Sequence, residues 1–130
     1  MGWTMIGIED SEFTDKGILV PGIDWTIIKT YPVEEGKTIY FDFNLVAKQV
    51  DELHYGGFML IGLVANKSGL VELISAYPGM PATWDTPSAR STHTRLGAIA
   101  EVSPAGVILK VRNATGPTKW NVRVETTTVK

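Results

Sequence analysis

From Leu96 to Glu125 apolar and polar side chains alternate with a period of two, and this rhythm confines the segment to extended strands buried on one face. Three runs carry it: Leu96–Val102, Val107–Arg112 and Lys119–Glu125. The turn Ser103-Pro104-Ala105-Gly106 and the loop Asn113–Thr118 separate them with residues that bend a backbone. Pairing Val102 with Val107 sets Ala100 against Leu109 and Ala98 against Val111. The same face carried into the third run sets Val111 against Trp120, Leu109 against Val122 and Val107 against Val124. The segment therefore reads as a three-strand antiparallel meander at the edge of a β-sandwich. Its outward face holds Glu101, Lys110, Arg112, Lys119, Asn121, Arg123 and Glu125, with Ile99 and Ile108 as apolar exceptions.

Upstream, Thr38–Leu45 alternates most cleanly, with Ile39, Phe41, Phe43 and Leu45 on one side and Thr38, Tyr40, Asp42 and Asn44 on the other. Phe58–Ala65 and Leu70–Ala76 are joined by Asn66-Lys67-Ser68-Gly69, a hairpin signal, and read as central strands. Ile23–Tyr31 is a further strand. Trp3–Ile8 and Gly17–Val20 read as short strand pieces around a polar bend at Asp10–Lys16. Val46–Tyr55 is the single helix candidate, and it closes on Gly56-Gly57 too soon to be more than a short turn. Tyr77–Thr92, with Pro78, Pro81 and Pro87 and no hydrophobic period, reads as a long loop or arm. The sum is about eight strands without strand–helix alternation: an all-β chain, an antiparallel β-sandwich or jelly roll, forming one domain over residues 1–130 with a proline-rich arm at 77–92.

Composition narrows the functional classes. Twelve basic and 14 acidic residues, scattered without blocks, give a net charge of −2, so nucleic-acid and anionic-lipid partners are not expected. Hydrophobic residues at 44% and charged residues at 20% argue for a folded globular domain. Without cysteine there are no disulfides, thiolate metal sites or thiol nucleophiles. The longest apolar stretch, Gly57–Ala65, is far short of the roughly 20 residues a membrane helix needs, so no membrane partner is expected. Met1–Asp10 has no basic n-region and reaches carboxylates early, which fits mature protein made in a cytoplasm rather than a secretory leader.

The residues for catalysis are sparse. His54 and His93 lie in different segments without a partner at metal-ligand spacing, so a shared zinc site is disfavoured and each reads as a loop or strand-end residue. A glycosidase pair would have to come from Asp24, Asp42, Asp51, Glu52, Glu72 and Asp85, most of which sit at turn or outward positions where a solvated charge is the default. Asp42 and Asn44 share a wet face, but two oxygens fall short of the six to eight that calcium takes. No Gly-x-Ser-x-Gly elbow or phosphate-cradling loop is present. The expectation is a non-enzymatic protein with no metal and no cofactor.

Tryptophans point elsewhere. Trp120 faces the apolar side of the meander and Trp25 shares a strand with Ile27, so both read as core. Trp3, near a terminus, and Trp84, in the proline-rich arm, are the exposed candidates; each either pins its segment to the body or contacts a ligand. For a protein interface the arm supplies Tyr77, Met80, Trp84 and Arg90, and the meander adds Ile99 and Ile108. For a sugar, Trp3 or Trp84 would stack on the ring while Asp85 or Arg90 bonds hydroxyls.

The C-terminal pattern Val107–Val129, a strand, a Gly/Thr loop, then Trp120 and alternating Val/Arg before Glu125-Thr126, resembles the ending of many small structural proteins of tailed bacteriophage virions, departing from it in Pro117. The resemblance covers about the last 35 residues. It implies a β-sandwich or jelly-roll virion protein used in many copies, made in the host cytoplasm: a capsid decoration (cement) protein or a tail, collar or fibre component. It also implies partners in a homo-oligomer, with a trimer favoured, and in other virion proteins. The alternative is a carbohydrate-binding sandwich of a receptor-binding tail component, with a surface glycan as partner.

Overall fold

The computed structural model describes residues 8–76 and 90–129. In chain order the strands are β1 Ile8–Val20, β2 Thr26–Pro32, β3 Thr38–Gln49, β4 Tyr55–Lys67, β5 Leu70–Ala76, β6 Arg90–Ser91, β7 Gly97–Ser103, β8 Gly106–Arg112 and β9 Thr118–Val129. They form two antiparallel sheets: a larger one in the order β1-β9-β3-β4-β5, with the two-residue β6 also paired to β4, and a smaller one in the order β2-β8-β7. The chain is an all-β sandwich, and the described residues contain no helix.

The core lies where the two inner faces meet. From β3 come Ile39, Phe41, Phe43, Leu45 and Ala47; from β4 Phe58, Leu60 and Val64; from β9 Trp120, Val122 and Val124. The smaller sheet answers with Ala98, Ala100, Val107, Leu109 and Val111. The alternation of Thr38–Leu45 thus marks its buried side correctly and continues to Gln49, so the helix candidate at 46–55 is the end of β3, a turn and the start of β4. Burying each of these larger side chains contributes roughly 1.5–3 kcal/mol.

Three expectations change. First, the register within Gly97–Arg112 is as read, with Val102 opposite Val107 and Ala98 opposite Val111. The third run, however, does not pair with the second: β8 lies between β2 and β7, whereas β9 crosses to the other sheet and lies between β1 and β3. Val122 sits beside Leu45, and Val124 beside Phe43. Trp120 and Leu109 still both point inward, from opposite sheets, because a crossing strand and a hairpin strand bury the same parity of residues.

Second, Asp10–Lys16 is not a bend but part of β1, which pairs with β9 along its length and is interrupted between Asp15 and Ile18. There Lys16 and Gly17 face the single residue Asn121, Gly17 adopts φ +65°, and its N–H donates to Asn121 Oδ1 at 2.7 Å. That is a β-bulge, with glycine where the backbone turns left-handed. Third, Trp25 is not core: it precedes β2 and is 40% exposed, and Ile27 is 55% exposed.

Buried amides clamp the crossings. Asn113 donates through Nδ2 to the carbonyls of Val20 and Gly22 at 2.7 and 2.6 Å, and its Oδ1 accepts the Trp120 indole N–H at 3.0 Å. Gln49 donates from Nε2 to Asp51 at 2.9 Å and to Thr115 Oγ1 at 3.0 Å, tying the end of β3 to the β8–β9 crossing. Asn66 bonds the Val33 carbonyl and receives the Gly69 N–H. That last contact braces the predicted β4–β5 hairpin, whose two-residue turn Ser68-Gly69 has positive φ at both positions, the mirror-image turn that suits twisted strands.

Candidate functional site

What remains after the core is accounted for lies on the outer faces of the sandwich. The larger sheet presents one unlike any other. Along β9 the outward residues are Lys119, Asn121, Arg123, Glu125 and Thr127, all polar. Along β4 they are Gly57, Met59, Ile61 and Leu63, all non-polar and half-buried. β3 runs between the two and is mixed: Tyr40 lies opposite Leu63, Asp42 opposite Ile61, Asn44 opposite Met59 and Val46 opposite Gly57. Tyr40 is 43% exposed and Val46 61%.

The stripe continues on its far side. The β4–β5 pairing slips between Leu63 and Val64, so that Ile74 and Ser75 both fall between the inward Leu73 and Ala76 and point off the core. Ile74 is 40% exposed beside Leu63, and Tyr55 closes the other end of the stripe at 45%. The reason is in the sequence: Phe58–Ala65 is a continuous apolar run, the pattern of a strand covered on both faces, whereas the sandwich covers one. Every described element belongs to one of the two sheets, so none lies over this face.

The outer face of the smaller sheet is different. Ile99 lies opposite Lys110 and Ile108 opposite Glu101, so the two predicted interface isoleucines occupy one diagonal of a four-residue block. The other diagonal is a Lys110–Glu101 ion pair at 2.9 Å. Both isoleucines are half-buried. Beyond them Trp25 lies against Arg112, whose guanidinium carbon is 4.7 Å from the ring centroid, and over Gly97, where a side chain would meet the indole. Arg112 Nε in turn donates to the Arg95 carbonyl at 2.6 Å and Arg95 Nη2 to the Ile23 carbonyl at 3.2 Å, so the 21–25 loop is fastened to the sheet. Sequence alone misplaces Trp25, since its spacing from Ile27 suggests a shared buried face; the neighbouring Asp24 and the Pro21-Gly22 turn just upstream are the available signal.

Of the other predicted residues, Trp3, Tyr77, Met80, Trp84 and Asp85 lie outside the described residues, and Arg90 opens β6, pairing with Gly57. The structure does bring His54 and His93 together, with ring centroids 4.7 Å apart in an edge-to-face arrangement. His93 Nδ1 accepts the Arg95 N–H at 3.1 Å, which puts the proton of the neutral ring on Nε2 and leaves no lone pair there for a metal. His54 Nδ1 meets Thr92 Oγ1 at 3.3 Å. Among the described residues no group of three or more histidine or acidic side chains is arranged to hold a metal ion.

The carboxylates are dispersed. Asp24 is in the β1–β2 loop, Asp42 on the outer face of β3 where it accepts from Asn44 at 3.0 Å, Asp51 and Glu52 in the β3–β4 turn, and Glu72 on β5. Asp51 accepts the Leu53 N–H and the Gln49 side chain, and these bonds hold its carboxyl below the usual carboxylate range. Glu52 is lowered, and Lys48 raised, by the bond and ion pair between them at 2.8 Å. The Tyr31 hydroxyl is buried with no hydrogen-bond partner among the described residues, and burial, with a smaller contribution from Asp15, pushes it up to about 12.

No protein-family model matches the chain, and no curated protein matches it either. Among solved structures, the tailspike protein of Acinetobacter baumannii phage AM24 is loosely similar: TM-score 0.41 and 9% identity over 94% of this chain. The chain spans 26% of that tailspike's length. Among the described residues no helix is long and apolar enough to cross a membrane.

Proposed function

We propose that this chain is a non-enzymatic structural component of a bacteriophage virion, a capsid decoration or other particle-surface subunit that works by adhering to neighbouring protein surfaces. The observation that carries the adhesive part is the outer face of β4: Met59, Ile61 and Leu63, extended by Tyr40, Val46 and Ile74, form a contiguous apolar stripe on a sheet whose other face already supplies the core. Such stripes, rimmed by polar residues, mark protein contacts. The C-terminal pattern that resembles virion proteins supports placing those contacts in a phage particle. The arm residues Tyr77, Met80, Trp84 and Arg90 belong to the same proposal as further grips.

The test is particle association. Antibodies against the chain should label virions purified by density gradient from a lysate of the phage that encodes it, and the chain should be present at a fixed copy number per particle. Its absence from washed virions overturns the reading.

A second reading is favoured by one observation, the exposed Trp25 indole backed by Arg112. A flat aromatic face beside a guanidinium group suits stacking on a sugar ring, as a receptor-binding tail component would require. Binding on a bacterial-glycan array that Trp25→Ala abolishes would establish it; silence of the wild-type chain across the array would remove it.

A further inference from the structure

We infer that the outer face of β3, β4 and β5 is the surface on which two copies of this chain pack sheet against sheet about a two-fold axis. The inference rests on the adhesive reading of that face and names its occupant.

A sheet face is covered best by another sheet, because two twisted layers of the same hand stack about 10 Å apart with strands within about 30° of alignment. A copy of the chain offers a layer of matching twist, width and stripe length, and a patch that meets itself is the geometry of the two-fold dimer. The extent is adequate. β4 runs about 41 Å with β3 beside it and β5 beside its C-terminal part, which gives the outer face of these three strands a planar footprint of roughly 450 Å². Rugged side chains make the accessible area larger than that footprint, approaching the ~800 Å² per partner of a stable interface.

Charge permits it as well. On the polar side of the stripe Asp42 and Glu125 face each other across β3 and β9, with Arg123 paired to Glu125 and with Lys48 opposite Lys119 further along. No single-sign block spans the face, so a second copy meets balanced groups around a dry centre. Tyr40 and Tyr55 stand at the two ends of the stripe, where side chains with an apolar body and a polar tip suit a rim. Two-fold packing yields dimers, in contrast to the trimer that the C-terminal resemblance favours.

Sedimentation equilibrium on the purified full chain, from micromolar to millimolar, tests this. The wild-type chain should pass from monomer to dimer without a trimer. Ile61→Lys should weaken dimerisation about 30-fold or more, the effect of removing a central apolar anchor, while circular dichroism and the thermal midpoint show the fold retained. Met59→Lys serves in its place if Ile61→Lys does not fold, and Ile108→Lys, on the opposite outer face, should dimerise like wild type. A wild-type chain that stays monomeric throughout, a trimer, or a folded Ile61→Lys chain that dimerises normally would each overturn the sheet pairing. A chain that fails to dimerise yet labels virions loses only this inference; one that dimerises yet is absent from virions loses only the phage reading.

Discussion

β9 and β4 flank the same strand, β3, in the same sheet and contribute to the same core, yet their outer faces are opposites. On the inner side they are equivalent: Val122 and Val124 of β9 and Phe58 and Leu60 of β4 bracket Leu45 and Phe43 in register. On the outer side β9 shows lysine, asparagine, arginine, glutamate and threonine, while β4 shows methionine, isoleucine and leucine. A fold needs only one buried face per strand, so β9 does what the sandwich requires and β4 carries apolar surface beyond it. Among the described residues nothing covers that surplus, and the functional proposal is built on it.

The inner equivalence can be broken most forcefully. Trp120→Ala in β9 and Leu60→Ala in β4, both fully buried, should each lose about 3–5 kcal/mol of unfolding free energy in denaturant titrations. A much smaller loss at either position would mean that its strand is not part of the common core. Next comes the clamp at the end of β3. Gln49→Ala removes bonds to Asp51 and Thr115 from a side chain only 2% exposed and should cost about 1–3 kcal/mol, read from the same titration.

The outer contrast is sharpened by a pair of surface changes. Thr127→Lys on β9 should shift stability by less than about 0.5 kcal/mol and leave self-association untouched, against the loss expected for Ile61→Lys on β4. Equal effects on association would erase the distinction between the two strands. A modest effect belongs to Tyr31, whose ring packs against Phe41 and Phe43 at centroid distances of 6.0 and 5.3 Å while its hydroxyl has no partner among the described residues. Tyr31→Phe should be neutral or stabilising by up to about 1 kcal/mol; a clear loss would reveal a partner for the hydroxyl.

The smallest effect is pH-dependent. Because Asp51 is held below its unfolded value by the Leu53 N–H and Gln49, its contribution is present above the ordinary aspartate range near 3.8 and is lost as pH falls through the lower folded value. Asp51→Asn should flatten the acid limb of the stability profile slightly below about pH 4 and leave neutral behaviour nearly as it was. A steeper acid limb in the variant would contradict the assignment.

Particular residues show how far the sequence reaches. The inward parity of Ile39, Phe41, Phe43 and Leu45, of Val107, Leu109 and Val111, and of Trp120, Val122 and Val124 follows from alternation alone, because side chains in an extended chain point alternately to opposite sides whatever lies beyond them. The Ser68-Gly69 turn is equally local, a matter of φ at two positions. The all-β class and the two-sided apolar character of Phe58–Ala65 were likewise determined by the amino acids themselves.

Only the tertiary structure decided which sheet each strand joins. Alternation is blind to whether β9 turns back beside β8 or crosses the core, since both bury Trp120; in the crossed arrangement β9 pairs along its length with β1 and β3, and Asn113 ties Val20, Gly22 and Trp120 together across more than 90 residues of chain in its longest link. The exposure of Trp25, the meeting of His54 and His93, and the absence of a described layer over β4 are of the same kind. Each depends on elements far apart in sequence arriving at one place, and no local pattern of residues encodes that arrival.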